Sequence, residues 1–108
     1  MRRDVFQAIA DPTRREIMSL LIDRPLNLNM LSEKFEMSRP AVSKHVKILE
    51  ECGLVLINQQ GRERYCVPQL EPLSEVAHWI EPFRKMWESR LDSLENYLNE
   101  LQSKKKNS

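Results

Sequence analysis

Between residues 37 and 49 the chain reads MSRPAVSKHVKIL, with Arg39, Lys44 and Lys47 and no acid. Cations and hydroxyls in an acid-free run suit a polyanion. Ammonium groups neutralise phosphate, a guanidinium gives two parallel hydrogen bonds to guanine O6 and N7, and hydroxyls bond either. A second basic pair, Arg62 and Arg64, follows Gly61 in QQGRER. The alternative is a merely solvated helix face. Bond-making chemistry is not expected: no nucleophile stands with a base, and a chain with two glycines has no loop to cradle a nucleotide. His45, His78, Cys52 and Cys66 stand singly, without metal-ligand spacing, so no metal and no cofactor are expected. His45 either touches phosphate or packs at a core edge. His78 and the thiols are open to a sensing role, although single cysteines are more often small buried hydrophobes. Trp79 and Trp87 either line an effector pocket or belong to a core stripe.

These side chains need elements to hold them. Asp11-Pro12 opens a helix over 12–22, because an Asp side chain accepts from free first-turn N–H groups and Pro fits the first helical position. Ile17, Leu20 and Leu21 are its buried positions, and the residue before Pro25 ends it. A shorter helix over 3–9 precedes it, with Val5, Phe6 and Ile9 apolar. Asn27 is the next N-cap, and Leu28, Leu31 and Phe35 share a face at i, i+3 and i+7. Ser38 caps a helix over 39–51 that has Pro40 in its first turn and Val42, Val46 and Leu49 as its buried stripe. Gly53 falls where a left-handed residue ends such a helix. Two short helices about the connection Glu36-Met37-Ser38 have the spacing of a helix-turn-helix. The period then changes: LVLIN (54–58) and RYCV (64–67) read as strands, with Gly61 able to supply a hairpin's positive φ. A hairpin in that place is a wing, tipped by Arg62 and Arg64.

Pro68 and Pro72 close the wing. Residues about 73–101 read as one long helix, or two joined near Pro82. Its apolar residues Val76, Ile80, Phe83, Trp87, Leu91, Leu94, Leu98 and Leu101 are spaced 4, 3, 4, 4, 3, 4 and 3 apart, close to a heptad seam. The tail 102–108 is expected to be frayed and solvated. The fold class is therefore mainly α with a small β-hairpin: a winged helix-turn-helix with a long C-terminal dimerisation helix. The expected organisation is a single domain over 1–108, with a DNA-binding core at about 10–67.

Composition fits this. A chain of 108 residues, 41% hydrophobic and 31% charged, is globular rather than disordered. Its net charge is only +1, so local distribution matters more. Residues 71–100 carry Glu71, Glu75, Glu81, Glu88, Asp92, Glu95 and Glu100 against three basic residues, and would repel phosphate. No apolar run approaches the roughly 18 residues that span a bilayer. The N-terminal stretch is too short and interrupted for a signal peptide. The expected compartment is the cytoplasm, with no membrane partner, where Cys52 and Cys66 read as reduced thiols.

ADPTRREIMSLL (10–21), SRPAVSKHVKILEECGLV (38–55) and GRERYCV (61–67) together resemble the ArsR-type bacterial transcription regulators, in order and in spacing. WIEPFRKMWESRLDSLENYL (79–98) resembles a subgroup whose long last helix dimerises. The resemblance implies a dimeric winged-helix repressor that controls its own operon. It also marks a departure. Metal-sensing members carry a Cys-x-Cys pair where this chain has Asn27 and Asn29, and neutral amides are poor ligands for the metals thiolates select. Other members bind zinc through His and acidic residues on paired last helices; here that helix has only His78, near its start. The classical metal-sensing role is not expected.

With Val42, Val46 and Leu49 inward, the expected DNA-binding residues are Ser38, Arg39, Pro40, Ser43, Lys44 and Lys47, joined by Arg62 and Arg64 of the wing. Arg39 is placed for a base edge, the lysines for phosphate, and the wing for backbone or minor groove. Arg14 is a weaker phosphate candidate. One module buries too little for a selective site, so a homodimer on a pseudo-palindromic duplex is expected. Phe83, Trp87, Leu91, Leu94 and Leu98 are its expected interface, while Val76, Trp79 and Phe83 are open to packing on the first helix. The competing readings are an adaptor that keeps the fold but binds protein, and another winged-helix dimer family.

Overall fold

The computed structural model describes residues 4–106. Residue 3, where the first helix is expected to begin, and residues 107–108 of the tail lie outside the described residues. Capping side chains start each of the first four helices. Asp4 accepts from the Gln7 N–H at 2.9 Å to open α1 (Val5–Ile9). Asp11 accepts from the Arg14 N–H at 3.1 Å to open α2 (Pro12–Asp23). A short strand, β1 (Leu26–Asn27), leads to α3 (Leu28–Lys34), which the Asn27 side chain caps. Ser38 accepts from the Ala41 N–H at 3.3 Å to open α4 (Arg39–Glu51).

Phe35 is not on the α3 face predicted for it. It is the helix's extended C-cap, and it packs against the core from the turn. At the end of α4, Gly53 takes φ +79°. Its N–H bonds the Glu50 carbonyl at 3.0 Å, and the Leu54 N–H bonds the Leu49 carbonyl at 2.9 Å. This pair of bonds is the Schellman motif, and it satisfies carbonyls the helix end would orphan.

Strands β2 (Val55–Gln60) and β3 (Glu63–Pro68) form an antiparallel hairpin, and β1 adds to the other edge of β3, giving the order β1-β3-β2. The pairing of β1 was not predicted: two residues are too short for an alternating period. Ile17, Leu21, Leu31, Val42, Leu49, Leu54 and Val55 are fully buried, joining α2, α3, α4 and the sheet in one core. Cys66 lies in this core at zero exposure. Burial, with the nearby Glu50 charge, pushes its thiol up to about 11. It is therefore a protonated packing residue at neutral pH.

The chain divides into two compact units, Met1–Val76 and Ala77–Ser108. Helix α5 (Leu73–Lys106) runs through the boundary and through Pro82 without a break, so of the two predicted readings it is the single helix. It also reaches beyond residue 101, where the seam ends. Leu73 and Val76 pack against the core of the first unit. From Trp79 onward the large apolar side chains of α5 are exposed, Trp79 and Phe83 included. Within that unit, the Trp79 and Phe83 rings lie 5.0 Å apart. Arg84 bridges Glu81 and Glu88, one turn away on either side. No helix among the described residues is long and apolar enough to cross a membrane.

Candidate nucleic-acid interface

Helix α4 buries Val42, Val46 and Leu49 and exposes Arg39, Pro40, Lys44 and Lys47, with Ser43 half-buried. The inward stripe follows the 3.6-residue period, so the basic residues face outward by geometry. At its N-terminus the Ser38 oxygen is engaged as the cap, which leaves its hydroxyl proton to donate. The positive end of the helix dipole adds to the charge of Arg39 there.

The wing is tighter than the connection expected over 59–63. Gln60 pairs directly with Glu63, leaving Gly61 and Arg62 as a two-residue turn. Gly61 takes φ +62° and no other residue of the turn is positive. A positive φ at the first central position matches the twist of the flanking strands. Arg62 therefore sits at the tip, and Arg64 lies on β3 opposite Gln59.

These two elements converge. A cleft of about 100 Å³ is lined by Arg39 of α4, Arg62 and Arg64 of the wing, Asn27, Leu28, Asn29 and Glu63. A neighbouring groove of about 210 Å³ is lined by Ser43, Val46, Lys47 and Glu50 of α4 with Leu28, Ile57 and Arg64. Of the predicted binding residues, Arg39, Ser43, Lys47, Arg62 and Arg64 are thus gathered around two adjoining depressions, while Ser38, Pro40 and Lys44 line neither. The acids Glu50 and Glu63 were missed. Glu50 was findable, because 43, 46, 47 and 50 share one helical face. Nothing in the sequence announces that Glu63 faces Asn27.

Arg14, considered for phosphate, is occupied instead. Its Nε donates to the Ala8 carbonyl at 2.8 Å and an Nη to the Gln7 carbonyl at 3.1 Å, closing the end of α1 onto α2. Its other Nη is 3.4 Å from His45 Nδ1, which also lies 3.8 Å from the Asp11 carboxylate. His45 is half-buried at this corner, so of its two readings it packs at the core edge. Partial burial works to raise the Asp11 carboxyl. The Arg14 N–H and the charges of His45 and Arg14 outweigh it and hold the group below its ordinary 3.8.

Among the described residues, no group of three or more His, Cys, Asp or Glu is placed to hold a metal ion. Asn27 is buried and caps α3.

The profile of the bacterial regulatory protein arsR family matches residues 11–56, the segment from α2 to β2. The transcriptional repressor SdpR of Bacillus subtilis is 31% identical over 80 residues, covering 74% of this chain and 89% of that protein. The chain belongs to the ArsR family. A crystal structure of an ArsR family transcriptional regulator matches with a TM-score of 0.66 at 38% identity, over 78% of this chain and 87% of that one. The homodimeric winged helix-turn-helix DNA-binding domain Mb0332 of Mycobacterium bovis shares the fold, with a TM-score of 0.61 at 20% identity, over 75% of each chain. This ArsR family member is thus a winged helix-turn-helix protein of a family of DNA-binding transcription regulators, not of enzymes.

The residues predicted to join two copies all lie on α5 in the second unit. Phe83, Trp87, Leu91, Leu94 and Leu98 are 44–62% exposed.

Proposed function

We propose that this protein is a homodimeric transcriptional repressor that binds a pseudo-palindromic duplex upstream of its own gene, without a metal effector. The observation that carries the reading is the convergence of Arg39 from α4 with Arg62 and Arg64 from the wing on one cleft. Guanidinium groups from two elements at one place suit a DNA backbone and a base edge together. Arg39 reads a base in the major groove, Lys44 and Lys47 hold phosphate, Ser38 and Ser43 add hydroxyl contacts, Pro40 presses on the groove wall, and the wing reaches the adjacent backbone.

The exposed stripe of α5 takes a second copy. A helix of 34 residues is about 50 Å long. A heptad-like row of Trp and Leu along it is suited to a like helix. The homodimeric state of the Mb0332 domain supports this choice of partner. The repressor SdpR supports repression as the outcome. Asn27 and Asn29, where thiolates would bind metal, support an effector other than metal. The cytoplasm is the compartment where such a protein meets DNA.

A salt-dependent titration tests the reading, run on a fragment from upstream of the gene and on a random duplex of equal length, with chelator and with added zinc. Tight, salt-sensitive binding to the upstream fragment, indifferent to metal, is the expected result. Weak and equal binding to both duplexes contradicts it.

A further inference from the structure

Asn27 is the one buried polar residue of the described core, at 8% exposure. Both halves of its amide are engaged. Oδ1 accepts from the Met30 N–H at 2.8 Å and caps α3, while Nδ2 donates to Glu63 Oε2 at 3.0 Å. Its backbone pairs with Tyr65 in the β1–β3 ladder. Capping alone needs only an acceptor, which Ser, Thr or Asp supplies as well. The donor half has a different use, and its partner is a wing carboxylate.

Glu63 begins β3 between Arg62 and Arg64, and it shares its cleft with those two residues and Arg39. A carboxylate in that company is a natural partner for a guanidinium, and each such pair would withdraw one cation from DNA. Among the described residues, Glu63 makes no ion pair with any of the three. Its bond is to the neutral amide of Asn27 instead.

We propose that Asn27 is a positioning residue for DNA binding: by fixing the Glu63 carboxylate to the start of α3, it anchors the wing beside its tip and keeps Arg39, Arg62 and Arg64 open to DNA. This rests on the DNA-binding reading above and adds the residue that arranges its cations. Asp at position 27 keeps the capping oxygen but replaces the donor with a second anion facing Glu63. The Glu63 carboxylate then turns to the guanidiniums.

Asn27→Asp, Glu63→Gln and the double variant are titrated in the full-length protein on the upstream fragment and the random duplex, with melting temperature read alongside. Asn27→Asp is expected to bind both duplexes about tenfold more weakly. Its log K against log salt slope is expected to be shallower by about 1, the signature of one lost phosphate contact. Asn27→Asp with Glu63→Gln restores the hydrogen bond with donor and acceptor exchanged, and is expected to recover both affinity and slope. Wild-type affinity and slope in Asn27→Asp overturn the proposal, as does a double variant no tighter than the single one. If Asn27→Asp fails to fold, Asn27→Ala is compared in the wild-type and Glu63→Ala backgrounds. Loss of affinity only where Glu63 is present supports the proposal, and equal loss in both overturns it. Wild-type protein that binds neither duplex refutes the DNA-binding reading itself, an outcome distinct from any of these.

Discussion

Arg39 and Lys47 stand two turns apart on the exposed face of α4 and are assigned different work. Arg39→Ala is expected to weaken binding to the specific duplex by about 1–3 kcal/mol and to relax preference at one base position. Lys47→Ala is expected to weaken specific and random binding alike and to lower the salt slope by about 1. Titrations against single-base variants of the duplex separate the two outcomes. Asp11 gives a prediction about pH. Its carboxyl is held below the ordinary 3.8 in the folded protein. The stabilisation this implies is present at neutral pH, above the unfolded value, and is lost as pH falls through the lower folded value. Asn caps a helix as well as Asp but does not titrate. Asp11→Asn is therefore expected to flatten the fall in melting temperature as pH drops below the ordinary carboxylate value; thermal melts from neutral pH into acid check it. The basic residues were legible in the sequence because a helical stripe leaves only one outward face. The employment of Arg14 was not, because its partners are the Gln7 and Ala8 carbonyls, and every residue has a carbonyl.

Caps and glycines made the elements legible. Asp11, Asn27 and Ser38 each cap the helix predicted for them, and Gly53 and Gly61 take the positive φ predicted at a helix end and a turn. What escaped was set by tertiary pairing: β1 exists because β3 lies beside it, and Phe35 leaves α3 at its C-cap to pack on the core. Gly61 supports a prediction for the wing. A side chain there meets nothing within 4 Å, so only the positive φ penalises substitution. Gly61→Asn is expected to be tolerated and Gly61→Val to strain the turn, because Asn visits this region readily and a β-branched residue does not. Weaker DNA binding in Gly61→Val, measured well below its lowered melting temperature, would show the turn's shape acting through Arg62. Equal affinities would show that the tip makes no contact.

The two units carry different parts of the proposed function. Met1–Val76 holds the cationic clefts, and Ala77–Ser108 holds the exposed apolar stripe. The heptad spacing made that stripe visible in the sequence, but not that the helix would run unbroken through Pro82, which a local rule reads as a possible break. Leu94 is 53% exposed, so a charge there leaves the core intact. Leu94→Glu is expected to sediment as a monomer with its helix content retained and to lose affinity for a duplex with two half-sites. A dimeric variant would place the interface elsewhere. The most direct test of the whole account is a hydroxyl-radical footprint of the protein on its upstream fragment. Two protected patches related by a pseudo-twofold and spaced about one DNA turn, roughly 34 Å, are predicted for paired recognition helices. A single patch, or protection without that spacing, would contradict the dimeric winged-helix reading.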